Sequence, residues 1–340
     1  MPRAATGKRA PVIKDVAQLA GVSVSTVSRY LNNSSHLSDE GREKIEHAIR
    51  LLDYRPSRVA RGLANSAMKS VAVMTSSTIL YGPASTMQGI EDEARVNGYP
   101  IAIAKLEGDS AQELKSTVNL VTDQRPRGVV VLNFDDIARK ALDLLPEDLP
   151  KVIIGGDRVE GTTQISLCET EGGAQATEYL LDAGHRTVHH VAVPGGGGGY
   201  SRAAGWENTL RRRGIPIPDA IVTSWDPRDA VAVGRKLAER PEVTAVFAGN
   251  DEIAMGLIRG LREAGKSVPE DVSIVGFDDN PIAALTCPSL TTVREDFRAA
   301  GKLAMQLMLA QIQPDYHLNP AYGLGEFIPL EAVFVQRESA

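Results

Sequence analysis

The sequence predicts a small all-α head over about residues 1–56, then an α/β body with parallel sheets from about residue 70 to 340. Three observations predict it. Between residues 12 and 52 apolar side chains recur at helical spacing and are broken by a glycine turn. Beyond Lys69, short β-branched runs alternate with helical stretches. The charge divides at the same place: residues 1–69 hold twelve lysines and arginines against six acids, a balance of +6, while the whole chain carries −6 and the rest therefore −12. A chain of 340 residues exceeds one compact core and suits two or three folding units. A basic head on an acidic body suits a head that meets polyanions. Charge alone leaves acidic lipid and plain solubility open as well.

The head comes first. In VIKDVAQLAGVSVSTVSRYLNN, Val16, Leu19 and Ala20 fall at i, i+3 and i+4, one apolar helix face. Gly21 stands where a helix ends and turns, since glycine takes a positive φ without steric cost. Val22 plugs the turn, Ser23 caps the second helix, and Val27 and Leu31 continue an apolar side. A third helix runs from Ser38 or Asp39 to Leu52 and buries Ile45, Ala48, Ile49 and Leu52. The same pattern would serve a three-helix bundle without a partner. The exposed face of the second helix argues for a partner: Ser25, Thr26, Ser28, Arg29 and Asn32 offer small hydroxyls for phosphate and an arginine for guanine in a major groove. A merely solvated helix more often carries Glu/Lys pairs.

The body follows. Strands are predicted at Val71–Met74, Ile101–Ala104, Val129–Leu132, Val152–Ile154, Val188–Val193, Ala245–Ala248 and Val272–Val275. Helices are predicted at Ala84–Asn97, Gly172–Ala183, Ala203–Arg213 and Glu252–Ala264. Continuous apolar strands alternating with helices indicate parallel sheets covered on both faces, which bind ligands beyond the strands' carboxyl ends. Polar residues there include Ser76, Ser77, Asn133, Asp135, Asp157, Asn250, Asp251, Asp278 and Asp279. Each can hydrogen-bond a ligand or merely cap a turn.

Six stretches carry a resemblance. DVAQLAGVSVSTVSRYLNN and DYRPSRVARGLA resemble the DNA-binding head and hinge helix of the lactose repressor family. The resemblance implies that Val24, Ser25 and Arg29 read bases, with Ser23, Thr26, Ser28, Asn32 and His36 on the DNA backbone. It implies a hinge helix over 57–69, with Ala60 and Leu63 at the DNA and Leu63 wedged into the minor groove. In the body, VFAGNDEIAMG, SIVGFDDNP, PSLTTVREDFRAAG and SRAAGW resemble the family's core, which is similar to periplasmic sugar-binding proteins. The similarity reaches from about Val12 to Arg337. It implies two subdomains, one of about 70–166 and 295–325, the other of about 167–294 and 326–340.

The same resemblance implies an effector site of Ser76, Ile79, Arg202, Trp225, Asn250, Asp278 and Phe297. Trp225 and Phe297 match positions where aromatics face a sugar, so a galactose-containing sugar is expected. Gly155 departs from the pattern, which has an acidic residue there; Asp157 is the candidate replacement. The implied function is a repressor that binds double-stranded operator DNA as a homodimer and is released by a small sugar. A corepressor logic, in which ligand strengthens DNA binding, is the alternative; a sugar-transport component is a remote one that leaves residues 12–64 unexplained.

Other classes lack support. Gly195–Gly199 is followed by no Lys-Ser/Thr, so it is no nucleotide P-loop. His189 and His190 fall on opposite faces of a strand, so no metal site is expected. No nucleophile elbow, HExxH motif or carboxylate pair with a base suggests catalysis, and no cofactor is expected. Cys168 and Cys287 read as free thiols. No apolar run nears a membrane span and no signal-peptide core follows the basic N-terminus. A cytoplasmic, nucleoid-associated bacterial protein is expected, without the family's tetramerising leucine-heptad tail.

Overall fold

The computed structural model describes residues 11–31, 39–54, 70–108, 110–195, 199 and 201–340. Asn32, His36, Ala60, Leu63 and the predicted hinge helix lie outside the described residues. The chain divides into two compact units, Met1–Met68 and Lys69–Ala340.

In the first unit, α1 (Ile13–Ala20) starts where the Asp15 carboxylate accepts the Val12 backbone N–H at 2.7 Å. It stops at Gly21, whose φ of 66° returns its N–H to carbonyls of the last turn. Ser23 Oγ then accepts the Thr26 N–H at 3.1 Å and so caps α2 (Val24–Leu31); α3 (Asp39–Leu51) closes the bundle. The core is Val16, Ala17, Ala20, Val27, Ile45, Ala48 and Tyr54. Leu19, predicted on the buried face, is half exposed; the face of α1 is turned by one residue so that Ala17 packs in its place.

The second unit holds two parallel sheets. The first joins β1 (Val71–Thr75), β2 (Ile101–Lys105), β3 (Gly128–Leu132), β4 (Lys151–Ile154), β5 (Thr163–Ser166) and β11 (Phe327–Pro329) in the order β11-β5-β4-β3-β1-β2. Helices α4 (Tyr81–Val96) and α11 (Phe297–Ile312) cover one face; α5 (Ala111–Asp123) and α6 (Asp136–Leu142) cover the other. Alternation sorts each strand between them: Val71, Val73, Val130 and Leu132 face α4 and α11, while Ala72, Met74, Val129 and Val131 face α5 and α6. The α4–α11 pair approaches backbone to backbone, since a Cβ on Gly301 would stand 2.0 Å from the Thr86 carbonyl oxygen.

The second sheet runs β7-β6-β8-β9, made of β6 (His189–Ala192), β7 (Ile221–Val222), β8 (Ala245–Ala248) and β9 (Ser273–Val275). It lies between α7 (Glu169–Asp182) with α8 (Arg202–Arg212) and α9 (Pro227–Ala238) with α10 (Asp251–Glu263). An antiparallel pair, β10 (Thr292–Arg294) and β12 (Val333–Val335), adjoins it through the bridge of Val275 to Thr291. The chain therefore crosses between the lobes three times: after β5, after β10 and after β11. The last crossing corrects the sequence expectation. Residues 326–329 belong to the first lobe, because Ile328 pairs with Ile165, and the chain returns only at about Leu330.

Strand β5 was not predicted, and its composition explains why. TQIS looks like a turn, yet all four residues are buried. The Gln164 carboxamide is satisfied by the loop after β4, donating to Gly155 O at 2.9 Å and accepting from Val159 N at 2.9 Å. The histidines divide as expected: His190 stacks on Phe247 at 4.7 Å in one core cluster, while His189 lies on the other face of the sheet. Burial pushes His190 down to about 4, so it is a neutral packing residue.

Candidate functional site

In the head, Val27 is fully buried and fixes which side of α2 faces out. Tyr30 Oη donates to Glu46 Oε1 at 2.9 Å and pins α2 to α3. The outer side then presents Val24, Ser25 and Arg29, with Ser28 half-buried beside them. At the start of α2 the Ser23 hydroxyl lies 2.7 Å from both Ser25 Oγ and Thr26 Oγ1, a hydroxyl cluster at a helix N-terminus. Such an end attracts phosphate, and the exposed arginine one turn on can reach a base edge.

In the body, a cleft of about 670 Å³, open mouth included, lies between the lobes at the carboxyl ends of both sheets. A cleft between two lobes, walled by aromatic side chains with a few convergent polar groups, suits a small-molecule ligand. The first lobe contributes Ser76, Tyr81, Phe134, Asp135 and Phe297; the second contributes Glu169, Ser201, Arg202, Trp225, Asn250, Glu252 and Asp278. The aromatic wall is continuous, with Phe297 edge-on to Tyr81 at 5.8 Å and to Phe134 at 6.1 Å. Asp135 caps α6 by accepting the Ala138 N–H at 2.9 Å and also accepts the Ser76 hydroxyl. Asn250 likewise caps α10, accepting the Ile253 N–H at 2.8 Å. Both residues therefore cap and line the cleft at once.

Arg202 is the electrostatic centre. Its Nη1 donates to Gly249 O at 2.6 Å and Asp278 Oδ1 at 3.0 Å, and its Nη2 to Glu169 Oε1 at 2.5 Å. Its Cζ lies 4.1 Å from the Phe277 ring centroid, and Glu295 stands 3.7 Å from Nη2. Burial opposes the charge on Arg202, but Glu169, Asp278 and Glu295 outweigh it and hold the guanidinium protonated. For Asp278, burial is the main influence and drives the carboxyl up to about 7 although Arg202 draws it down. Burial pushes Glu295 well above the usual carboxylate range.

Six of the seven expected effector residues thus line one cleft, and Ile79 does not. Ile79 is 89% exposed, in the bend before α4, where the Ser77 hydroxyl accepts its N–H and turns the side chain to solvent. Gly155 has a local reason. Its φ is 80°, and a Cβ there would lie 2.9 Å from the Phe134 ring, which fills the space an acidic side chain would use. Asp157 does not line the main cleft; it borders an adjoining open pocket with Asn133, Arg139 and Gly156. Glu169, Tyr81, Phe134 and Glu252 were missed. Glu169 follows the unrecognised strand β5, so the rule of looking beyond strand ends could not reach it. Among the described residues no group of His, Cys, Asp and Glu could hold a metal ion, and no helix is long and apolar enough to cross a membrane.

Residues 12–57 match bacterial regulatory proteins of the lacI family, and residues 177–324 match a periplasmic binding protein-like domain. The lactose operon repressor of Escherichia coli (strain K12) is 30% identical over 298 residues, 87% of this chain and 83% of that protein. The chain belongs to the lacI family. This family member is a DNA-binding transcriptional repressor with a ligand-binding domain, not an enzyme. It is similar in structure to the Lac repressor dimer bound to operator and the anti-inducer ONPF, with a TM-score of 0.84 and 28% identity over 97% of this chain and 99% of that one. It is also similar to the transcriptional regulator CelR in complex with cellobiose, with a TM-score of 0.68 and 28% identity over 97% and 100% of the two chains.

Proposed function

We propose that this lacI-family repressor acts as a homodimer, reads a palindromic operator through α2, and is released when a small sugar enters the cleft of the body. The observation that carries the sugar is the cleft's composition. Flat aromatic side chains, Trp225 and Phe297 among them, can cover the C–H face of a pyranose, and a rim of Asp135, Asn250 and Asp278 can meet its hydroxyls. The CelR structure with cellobiose supports the ligand class. The effector proposed is a galactose-containing sugar.

In the head, base reading is assigned to Val24, Ser25 and Arg29, and backbone contact to Ser23, Thr26 and Ser28. Two-fold symmetry of a dimer matches a palindromic site. The ligand need only favour the state that binds DNA poorly, and the loss of operator affinity equals its differential affinity for the two states. The test uses the full chain and palindromic DNA selected from a randomised pool, read by fluorescence anisotropy with mono- and disaccharides added. Release by a galactoside is expected. A sugar that tightens DNA binding would establish the corepressor logic instead, and a chain that selects no DNA sequence would overturn the reading.

A further inference from the structure

The charges of the cleft do not balance. Asp135, Glu169, Glu252 and Asp278 present carboxylates to it, whereas Arg202 is the one cationic side chain among its described lining residues. That guanidinium has little left for an anion: Nη1 is engaged by Gly249 O and Asp278, Nη2 by Glu169, and its face by Phe277. Beside it, Glu252 Oε2 is buried without a hydrogen-bond partner, while Glu295 behind the guanidinium is held protonated by burial and adds no charge. The aromatic wall keeps water away from one side, so the surplus acts in a low dielectric.

We propose that the effector is positively charged: the cleft takes a sugar bearing a free amine, its ammonium set against Glu252 and Asp278. This rests on the sugar reading above and narrows it. An ammonium offers three donors and no acceptor, which suits the unpartnered Glu252 Oε2 and an ionised Asp278. A neutral hexose leaves the carboxylate surplus uncompensated, and a uronic acid or sugar phosphate adds to it, so like charge excludes such competitors. Burial already lifts Asp278 to about 7 with Arg202 as its cationic partner; a second cation beside it would stabilise the ionised form.

The test compares rings that differ in charge. Thermal melting and calorimetric titration of the full chain are run with glucose and galactose, their 2-amino forms, N-acetylgalactosamine, and glucuronate and galacturonate. An amine binding at least tenfold more tightly than its parent hexose and its acetylated form is expected, with no response to the acids. Glu252→Gln should shrink the amine-to-hexose ratio to below threefold. A hexose or uronate that binds as tightly as the amine overturns the charge assignment and leaves the sugar reading standing. No response to any ring, in protein that still binds its selected DNA, overturns both.

Discussion

Replacing Arg202 by methionine tests the electrostatic centre directly. The change keeps an unbranched chain of similar length and removes the one cation that the described residues place among Glu169, Asp278 and Glu295, whose distances to it are 2.5, 3.0 and 3.7 Å. Breaking a buried ion pair from one side costs about 3–5 kcal/mol, because the orphaned charge stays buried. Part of that loss, the hydrogen bond to Gly249 O and the contact with Phe277, is independent of pH. The rest is not. A carboxyl whose folded pKa lies above its unfolded value makes the fold less stable as pH rises between the two, and Asp278 does so up to about 7. Without Arg202 that upper limit moves higher, so the variant keeps losing stability above pH 7 where Asp278 in the parent has levelled. The destabilisation should therefore be larger at pH 8.5 than at pH 5.5, by about 1–2 kcal/mol at 1.4 kcal/mol per pH unit. Urea unfolding at both pH values measures it. A penalty below 1 kcal/mol, or one equal at the two pH values, would refute the buried-cluster account.

Arg29→Ala should lower operator affinity by about 1–3 kcal/mol and relax discrimination at one base pair, as selection of sites by the variant would reveal. Trp225→Ala should leave DNA affinity unchanged and weaken the effector response about tenfold; an unaltered response in the anisotropy titration rejects the aromatic platform. Gly301→Ala would gain about 1 kcal/mol in helix propensity on an isolated helix. Here its Cβ meets the Thr86 carbonyl at 2.0 Å, so a net loss of about 1–3 kcal/mol in thermal melting is expected instead, because two helix backbones must part.

Much of this architecture was legible because its physics is local. Gly21 and Ser23 announced a turn and a cap, and the apolar runs of β1, β3, β4 and β8 could hardly be anything but covered strands. What stayed hidden depends on distant partners. Strand β5 is polar in sequence and buried only because the loop after β4 satisfies Gln164. The late return of β11 is fixed by pairing between Phe327–Pro329 and β5, more than 160 residues earlier in the chain. Within the cleft, residues beyond predicted strand ends were found, as was Arg202 through the SRAAGW stretch. Phe134 and Tyr81 were not, since an isolated aromatic in sequence does not say whether it packs in a core or faces a cavity.

Glu295 carries the opposite sign from Arg202, and that contrast separates electrostatics from packing. Its side chain is fully buried in the segment that crosses between lobes, two residues before Phe297, and neither oxygen has a hydrogen-bond partner. Burial, the first cause, drives its pKa well up; Glu169 and Asp278 add to the rise and Arg202 only partly offsets it. The folded state therefore holds a proton that the unfolded chain has released, and stability contributed by this group is lost as pH rises. Glu295→Gln is nearly isosteric with the protonated acid and cannot titrate. At low pH the variant should match the parent within about 0.5 kcal/mol, and with rising pH it should become the more stable of the two, by up to about 1.4 kcal/mol for each unit over which the parent resists ionising. If a favourable pairing with Arg202 governed the site, the same substitution would destabilise the protein increasingly as pH rises. Unfolding free energies of both proteins between pH 5 and 9 decide between the two, and a variant that falls progressively below the parent at the alkaline end would show that Glu295 is held as a paired carboxylate after all.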